Sequence, residues 1–96
     1  MAEYILTEPA QLDLEEIDEY VESDSGRRAA EHVLDAIHGA INDLVRLPSL
    51  GRTRVDVPGD YLFYRVFRYL IVFRRRREMV VILRIIHGAR DVPRQL

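Results

Sequence analysis

The sequence predicts an α+β fold in which an N-terminal helical hairpin packs on a small antiparallel sheet. Three observations lead there. Apolar residues recur at helical spacing from Pro9 to Leu44. Beyond Gly59 the runs become short, β-branched and aromatic. The links within each half are only a few residues long.

Glu3-Tyr4-Ile5-Leu6-Thr7 reads as a short first strand. Thr7 suits a helix N-cap, and Pro9 suits the first turn because it has no N–H to lose there. From Pro9 to about Ser23, Ala10, Leu14, Ile17 and Val21 follow at intervals of four, three and four, which places them on one helix face. Glu15, Glu16, Glu19 and Glu22 surround that face as a solvated surface. They are not read as a metal site, because calcium and magnesium need converging oxygens from a shaped loop. Asp24-Ser25-Gly26 ends this helix and starts a second, with Ala30, Val33, Leu34, Ile37, Ala40, Ile41 and Leu44 at helical spacing and Pro48 as its stop. Two amphipathic helices joined so closely form a hairpin. Leu34 and Ile41 are candidates to line a groove on it.

Pro48-Ser49-Leu50-Gly51-Arg52 and Val57-Pro58-Gly59-Asp60 carry turn chemistry. Strands follow at Leu62–Val66, Tyr69–Arg75 and Met79–Ile86, and the last two are apolar enough for central positions. Phe63, Phe67, Phe73, Tyr64 and Tyr69 are read as core and sheet-face packing. One domain spanning 1–96 fits the length.

Composition narrows the chemistry. Cysteine is absent, which excludes disulfides, thiolate metal sites and a catalytic thiol. No basic segment followed by an apolar run marks a signal peptide, and no apolar stretch approaches membrane-spanning length, so a cytoplasmic protein is expected. All fourteen basic residues are arginine. The net charge of −2 hides a segregation: residues 1–45 carry twelve acids against Arg27 and Arg28, net −10, whereas 46–96 carry twelve arginines against four acids, net +8. Such a polarity fits a basic face for phosphates or an acidic protein.

The order of motifs resembles the ParE/RelE superfamily of toxins from type II toxin–antitoxin systems. Thr7-Glu8-Pro9-Ala10 leads into Asp13-Leu14-Glu15-Glu16-Ile17, and Leu47-Pro48-x-x-Gly51-Arg52 closes the second helix. Tyr69-Leu70-Ile71-Val72-Phe73-Arg74 follows, then Ile82-Leu83-Arg84-Ile85-Ile86-His87-Gly88-Ala89-Arg90-Asp91. The likeness covers almost the whole chain. It implies a RelE/ParE-like fold and a cognate antitoxin, ParD-like or other, whose complex would contact operator DNA. It implies no cofactor and no metal.

The superfamily divides into ribosome-dependent messenger endoribonucleases and inhibitors of DNA gyrase. RNA cleavage needs a base, a proton donor and cations for the phosphorane charge. Arg65, Arg84 and His87 fill that set only in part: Gly88 follows His87 where some nucleases have Tyr, and Lys is absent. His-Gly-Ala-Arg-Asp instead resembles the ParE branch, so gyrase inhibition by binding is the expected activity and no catalytic residue is favoured. Arg74, Arg84, Arg90 and Arg94 are the candidate contacts for target or antitoxin, since a guanidinium fork matches carboxylate and phosphate. The alternatives are the endoribonuclease and an inactive antitoxin-binding module.

Several features are read as structural. Arg76 and Arg77 belong to a solvated hairpin turn, whereas Arg74, which alternates with Phe73, points across the sheet toward a partner. Arg90 and Asp91 form a local pair. His32 and His38 lie about 120° apart around their helix and share no metal-binding face.

Overall fold

The computed structural model describes residues 3–96, so Met1 and Ala2 of the expected domain lie outside the described residues. The chain runs β1 (Glu3–Leu6), α1 (Glu8–Ser25), α2 (Arg27–Arg46), β2 (Leu62–Val66), β3 (Tyr69–Arg76), β4 (Met79–His87) and α3 (Val92–Gln95). The four strands form one sheet in the order β1-β4-β3-β2. β2, β3 and β4 pair antiparallel as expected. β1 corrects the wholly antiparallel expectation: it lies parallel to β4, with Glu3 opposite Met79 and Leu6 opposite Ile82. The helical hairpin and two further strands separate β1 from β4 in sequence, so no tight turn dictates their relative direction.

The helix boundaries follow from local chemistry. The Thr7 hydroxyl accepts the Ala10 N–H (3.3 Å) at the start of α1. Gly26, at φ 95°, serves both helices: its N–H donates to the Glu22 carbonyl, and its carbonyl accepts the Ala30 N–H. That dihedral disfavours a residue with a side chain. Arg27 then ties the hairpin together through Asp18 and Glu22. At the other end of α2, Arg75 of β3 donates to the carbonyls of Leu44, Leu47 and Leu50 (2.8, 3.1 and 3.1 Å) and closes the helix terminus. One residue of the arginine run is therefore a structural clamp.

Both faces of the sheet are covered. Ala10, Leu14 and Ile17 of α1 and Ile37, Ile41 and Leu44 of α2 pack on Tyr69, Ile71, Phe73, Val80, Ile82 and Ile85. On the opposite face Val57 from the long loop and Val92 from α3 cover Phe63, Leu70, Val72 and Ile86. Burial on two sides accounts for the unbroken apolar runs of β3 and β4, the two interior strands. Ile41, expected to line a groove, is fully buried because the helical spacing that marks a groove also marks a core. Phe67, expected to pack, is 54% exposed in the β2–β3 turn.

A register shift in the β3–β4 ladder positions the functional end of the molecule. Leu83 and Arg84 both lie between Ile82 and Ile85, which face the same helical layer. A bulge of this kind strands backbone groups and redirects a side chain. α1 supplies the missing partners. The Thr7 hydroxyl donates to the Leu83 carbonyl (2.9 Å), and the Asp13 carboxylate accepts the Ile85 N–H (2.8 Å).

Candidate functional site

Arg84 leaves the bulge toward α1. Its Nε and Nη2 donate to the two oxygens of Asp13 (2.8 and 3.0 Å), and its Nη1 donates to the Gln95 carbonyl (2.6 Å). Asp13, foremost through its hydrogen bond, holds the guanidinium above its ordinary proton affinity. Arg84 thus joins α1, β4 and the C-terminal turn. Its fork is occupied from within the chain.

Gln95 repeats the device one turn further along. Its side-chain amide accepts the His87 N–H (2.9 Å) and donates to the His87 carbonyl (2.8 Å), imitating a strand neighbour. With Val92 buried beneath the sheet, these bonds seat α3 against the end of β4.

A cleft opens beside this framework, with a volume of about 280 Å³ between α1 and the end of β4. Asp13, Glu16, Tyr20, Tyr69, Arg84, His87 and Arg90 are among the residues that line it. The β3–β4 register sets Tyr69 opposite His87, and the rings meet edge to face at 5.4 Å. Burial, then Arg90 and Arg68, pushes the imidazole below the usual histidine range. The Nδ1 atom is buried without a hydrogen-bond partner among the described residues. Burial, above all, raises the Tyr69 phenol. At neutral pH the pair is therefore a neutral imidazole against a protonated phenol.

Of the remaining candidates, Arg90 is exposed on the cleft rim, and among the described residues no carboxylate pairs with it. Asp91 instead faces Arg94 at 3.5 Å, so the expected Arg90–Asp91 pair does not form. That Arg94 contact is highly exposed and adds little stability. Arg74 lies over the Tyr61 ring (4.5 Å) and beside Asp60 (2.8 Å), which also holds Arg76. Leu34 is half-buried against the core. Arg65 lies on the sheet face turned away from the helices, against Gly88: a side chain there would approach its guanidinium to 3.0 Å.

The structure thus brings Arg65 and His87 to one corner and sends Arg74 to another. Sequence reasoning missed Asp13, Tyr69 and Arg68. Asp13 stood in a quoted motif, but nothing local marked it as the partner of a residue 71 positions away. Tyr69 was reachable only through strand register. Among the described residues, no group of three His, Asp or Glu side chains forms a metal site, and no helix is long and apolar enough to cross a membrane.

Residues 4–92 match the family model described as the ParE toxin of the type II toxin–antitoxin system parDE. All 96 residues align with Toxin ParE3 of Caulobacter vibrioides at 31% identity, covering 96% of that protein. The fold matches a chain of the solved chromosomal ParDE toxin–antitoxin system from P. aeruginosa with a TM-score of 0.76. That match covers 91% of this chain and 95% of the other at 20% identity, a likeness of fold alone.

Proposed function

This chain belongs to the ParE toxin family of type II toxin–antitoxin systems, and from that premise we propose that it inhibits DNA gyrase by binding, with no chemistry of its own. The observation that carries this reading is the engagement of Arg84 by Asp13 and Gln95. A cation already matched by a carboxylate does not stabilise a phosphorane, so one member of the expected nuclease set is removed. Arg90 and Arg94, both exposed on the tail, are the target contacts. A cognate antitoxin neutralises the toxin, and operator DNA is contacted through the complex of the two. Residues 1–96 act as one toxin domain, in the cytoplasm where gyrase works.

The test is supercoiling of relaxed plasmid by purified gyrase with the purified toxin added. Supercoiling stops in the wild type and recovers in part in Arg90→Ala and Arg94→Ala. Undiminished supercoiling at saturating toxin would remove gyrase as the target.

One observation favours a second reading. Tyr69 stands beside His87, supplying an acid and a base that the sequence had left apart. A ribosome-dependent endoribonuclease built on His87, Tyr69 and Arg65 predicts cleavage of ribosome-bound message, lost in both His87→Ala and Tyr69→Phe.

A further inference from the structure

The arginines of this chain fall into two groups. Arg27, Arg46, Arg54, Arg74, Arg76, Arg84 and Arg94 are matched by carboxylates, and Arg75 by backbone carbonyls. Arg28, Arg52, Arg65, Arg68, Arg77 and Arg90 have no carboxylate partner among the described residues, and three of these, Arg65, Arg68 and Arg90, come from β2, the β2–β3 turn and the segment after β4. Those three flank the His87–Gly88 end of β4, Arg65 on one face of the sheet and Arg68 and Arg90 on the other. The Arg65 guanidinium lies on Gly88, where a side chain would crowd it, and among the described residues only its Nη1 is engaged, by the Phe67 carbonyl at 3.3 Å. The Arg68 carbonyl accepts the Gly88 N–H at 2.7 Å. Arg68 and Arg90 both lie close enough to His87 to depress its protonation. Like charges gathered without internal partners do not stabilise the fold.

The corner also carries Phe67, at φ 55° and half exposed between Arg65 and Arg68. A bulky side chain in the left-handed region at a turn tip is uncommon. The Phe67 ring meets His32 of α2 at 5.7 Å and leaves the rest of its surface exposed.

We propose that this corner is a binding site for the phosphodiester backbone of duplex DNA, with Arg65, Arg68 and Arg90 as its phosphate contacts. Arg65 shares the sheet face of its cross-strand partner Leu70, the face turned away from the helical hairpin. Arg90 lines the cleft beside α1, and Arg68 a second cleft between the β2–β3 turn and the helices. Cations on both sides of a sheet end suit a repeating line of phosphates better than one carboxylate. The site rests on the gyrase reading and deepens it: the toxin touches the DNA on which its target works. Contact of this kind carries no base readout and leaves operator recognition to the antitoxin complex.

The experiment is fluorescence anisotropy of a short labelled DNA duplex with the purified full chain across a salt series. A poly-glutamate peptide serves as the competing probe. Wild-type toxin binds the duplex, and log K falls against log salt with a slope of about −2.7, the value for roughly three phosphates. Each of Arg65→Gln, Arg68→Gln and Arg90→Gln lowers the slope by about one. Arg77→Gln, at the distant β3–β4 turn, leaves it unchanged. Circular dichroism melts confirm that each single variant folds. Unchanged slopes in the single variants, or binding of poly-glutamate but not duplex, overturn the site; the latter assigns the corner to an acidic protein. A toxin that blocks supercoiling but ignores duplex overturns this site and leaves the gyrase reading standing. Duplex binding through the corner with gyrase unaffected supports the site and overturns that reading.

Discussion

Removing the Asp13 carboxylate is expected to unfasten α1 from β4. Asp13→Ala deletes two charge-assisted bonds from Arg84 and one from the Ile85 N–H. It leaves the Ile85 amide unpaired beside a residue that is only 3% exposed. Breaking a buried ion pair costs about 3–5 kcal/mol. The Arg84 side chain is 32% exposed and keeps the Gln95 carbonyl, so water recovers part of that loss and the net is about 2–3 kcal/mol. For a domain of this length, such a loss lowers Tm by roughly 10–20 °C. Arg84→Met keeps most of the stem packing and should cost somewhat less. The double variant should be less destabilised than the sum of the singles by at least about 1 kcal/mol. Urea unfolding of the four proteins, followed by circular dichroism, measures this coupling. Additivity within about 0.3 kcal/mol would refute the strut. So would an Arg84→Met protein of unchanged Tm that no longer acts on its target.

Arg75→Ala should destabilise by about 1–3 kcal/mol because three carbonyls at the α2 terminus lose their donor; Arg77→Ala, exposed in the neighbouring turn, should stay within about 0.5 kcal/mol of wild type in the same urea titration. Gly51→Ala places a methyl 2.6 Å from the Phe73 ring at φ 103° and should lower Tm markedly. Gly39→Ala, in open space on α2, should be stabilising by roughly 0.5–1 kcal/mol; thermal melts of the two compare them directly. The lowered His87 pKa means that the unfolded chain binds this proton more tightly than the native one. Its contribution is therefore fully present above about pH 6.5 and is lost as pH falls through the native value. Between about pH 7 and pH 5 the urea midpoint should drop further in wild type than in His87→Asn, and equal drops would contradict the burial of the neutral ring.

The elements that local chemistry specifies were legible from the sequence. Thr7 and Pro9 open α1, Gly26 divides the hairpin, and the two interior strands announce themselves as apolar runs. Their ends fall within about two residues of expectation, as fraying termini allow. What escaped was set by partners distant in the chain. The direction of β1 depends on its pairing with β4, and the Leu83–Arg84 bulge is revealed only by the register. Arg75 and Arg77 stand in one arginine run, yet one clamps a helix end and the other faces solvent. The same limit governed the site. Arg84 stood out in the sequence, but its partner Asp13 lies 71 positions away. His87 looked isolated because Gly88 follows it, whereas across the ladder the Tyr69 ring meets it edge to face.

The most direct test of the account is to induce the toxin without its antitoxin in a bacterium and pulse-label DNA and protein synthesis separately. Gyrase inhibition predicts an early fall in DNA synthesis with DNA-damage signalling while translation continues, and a weaker fall for Arg90→Ala. Early arrest of translation with DNA synthesis spared, abolished by His87→Ala, would contradict it and make the Tyr69–His87 pair an active site.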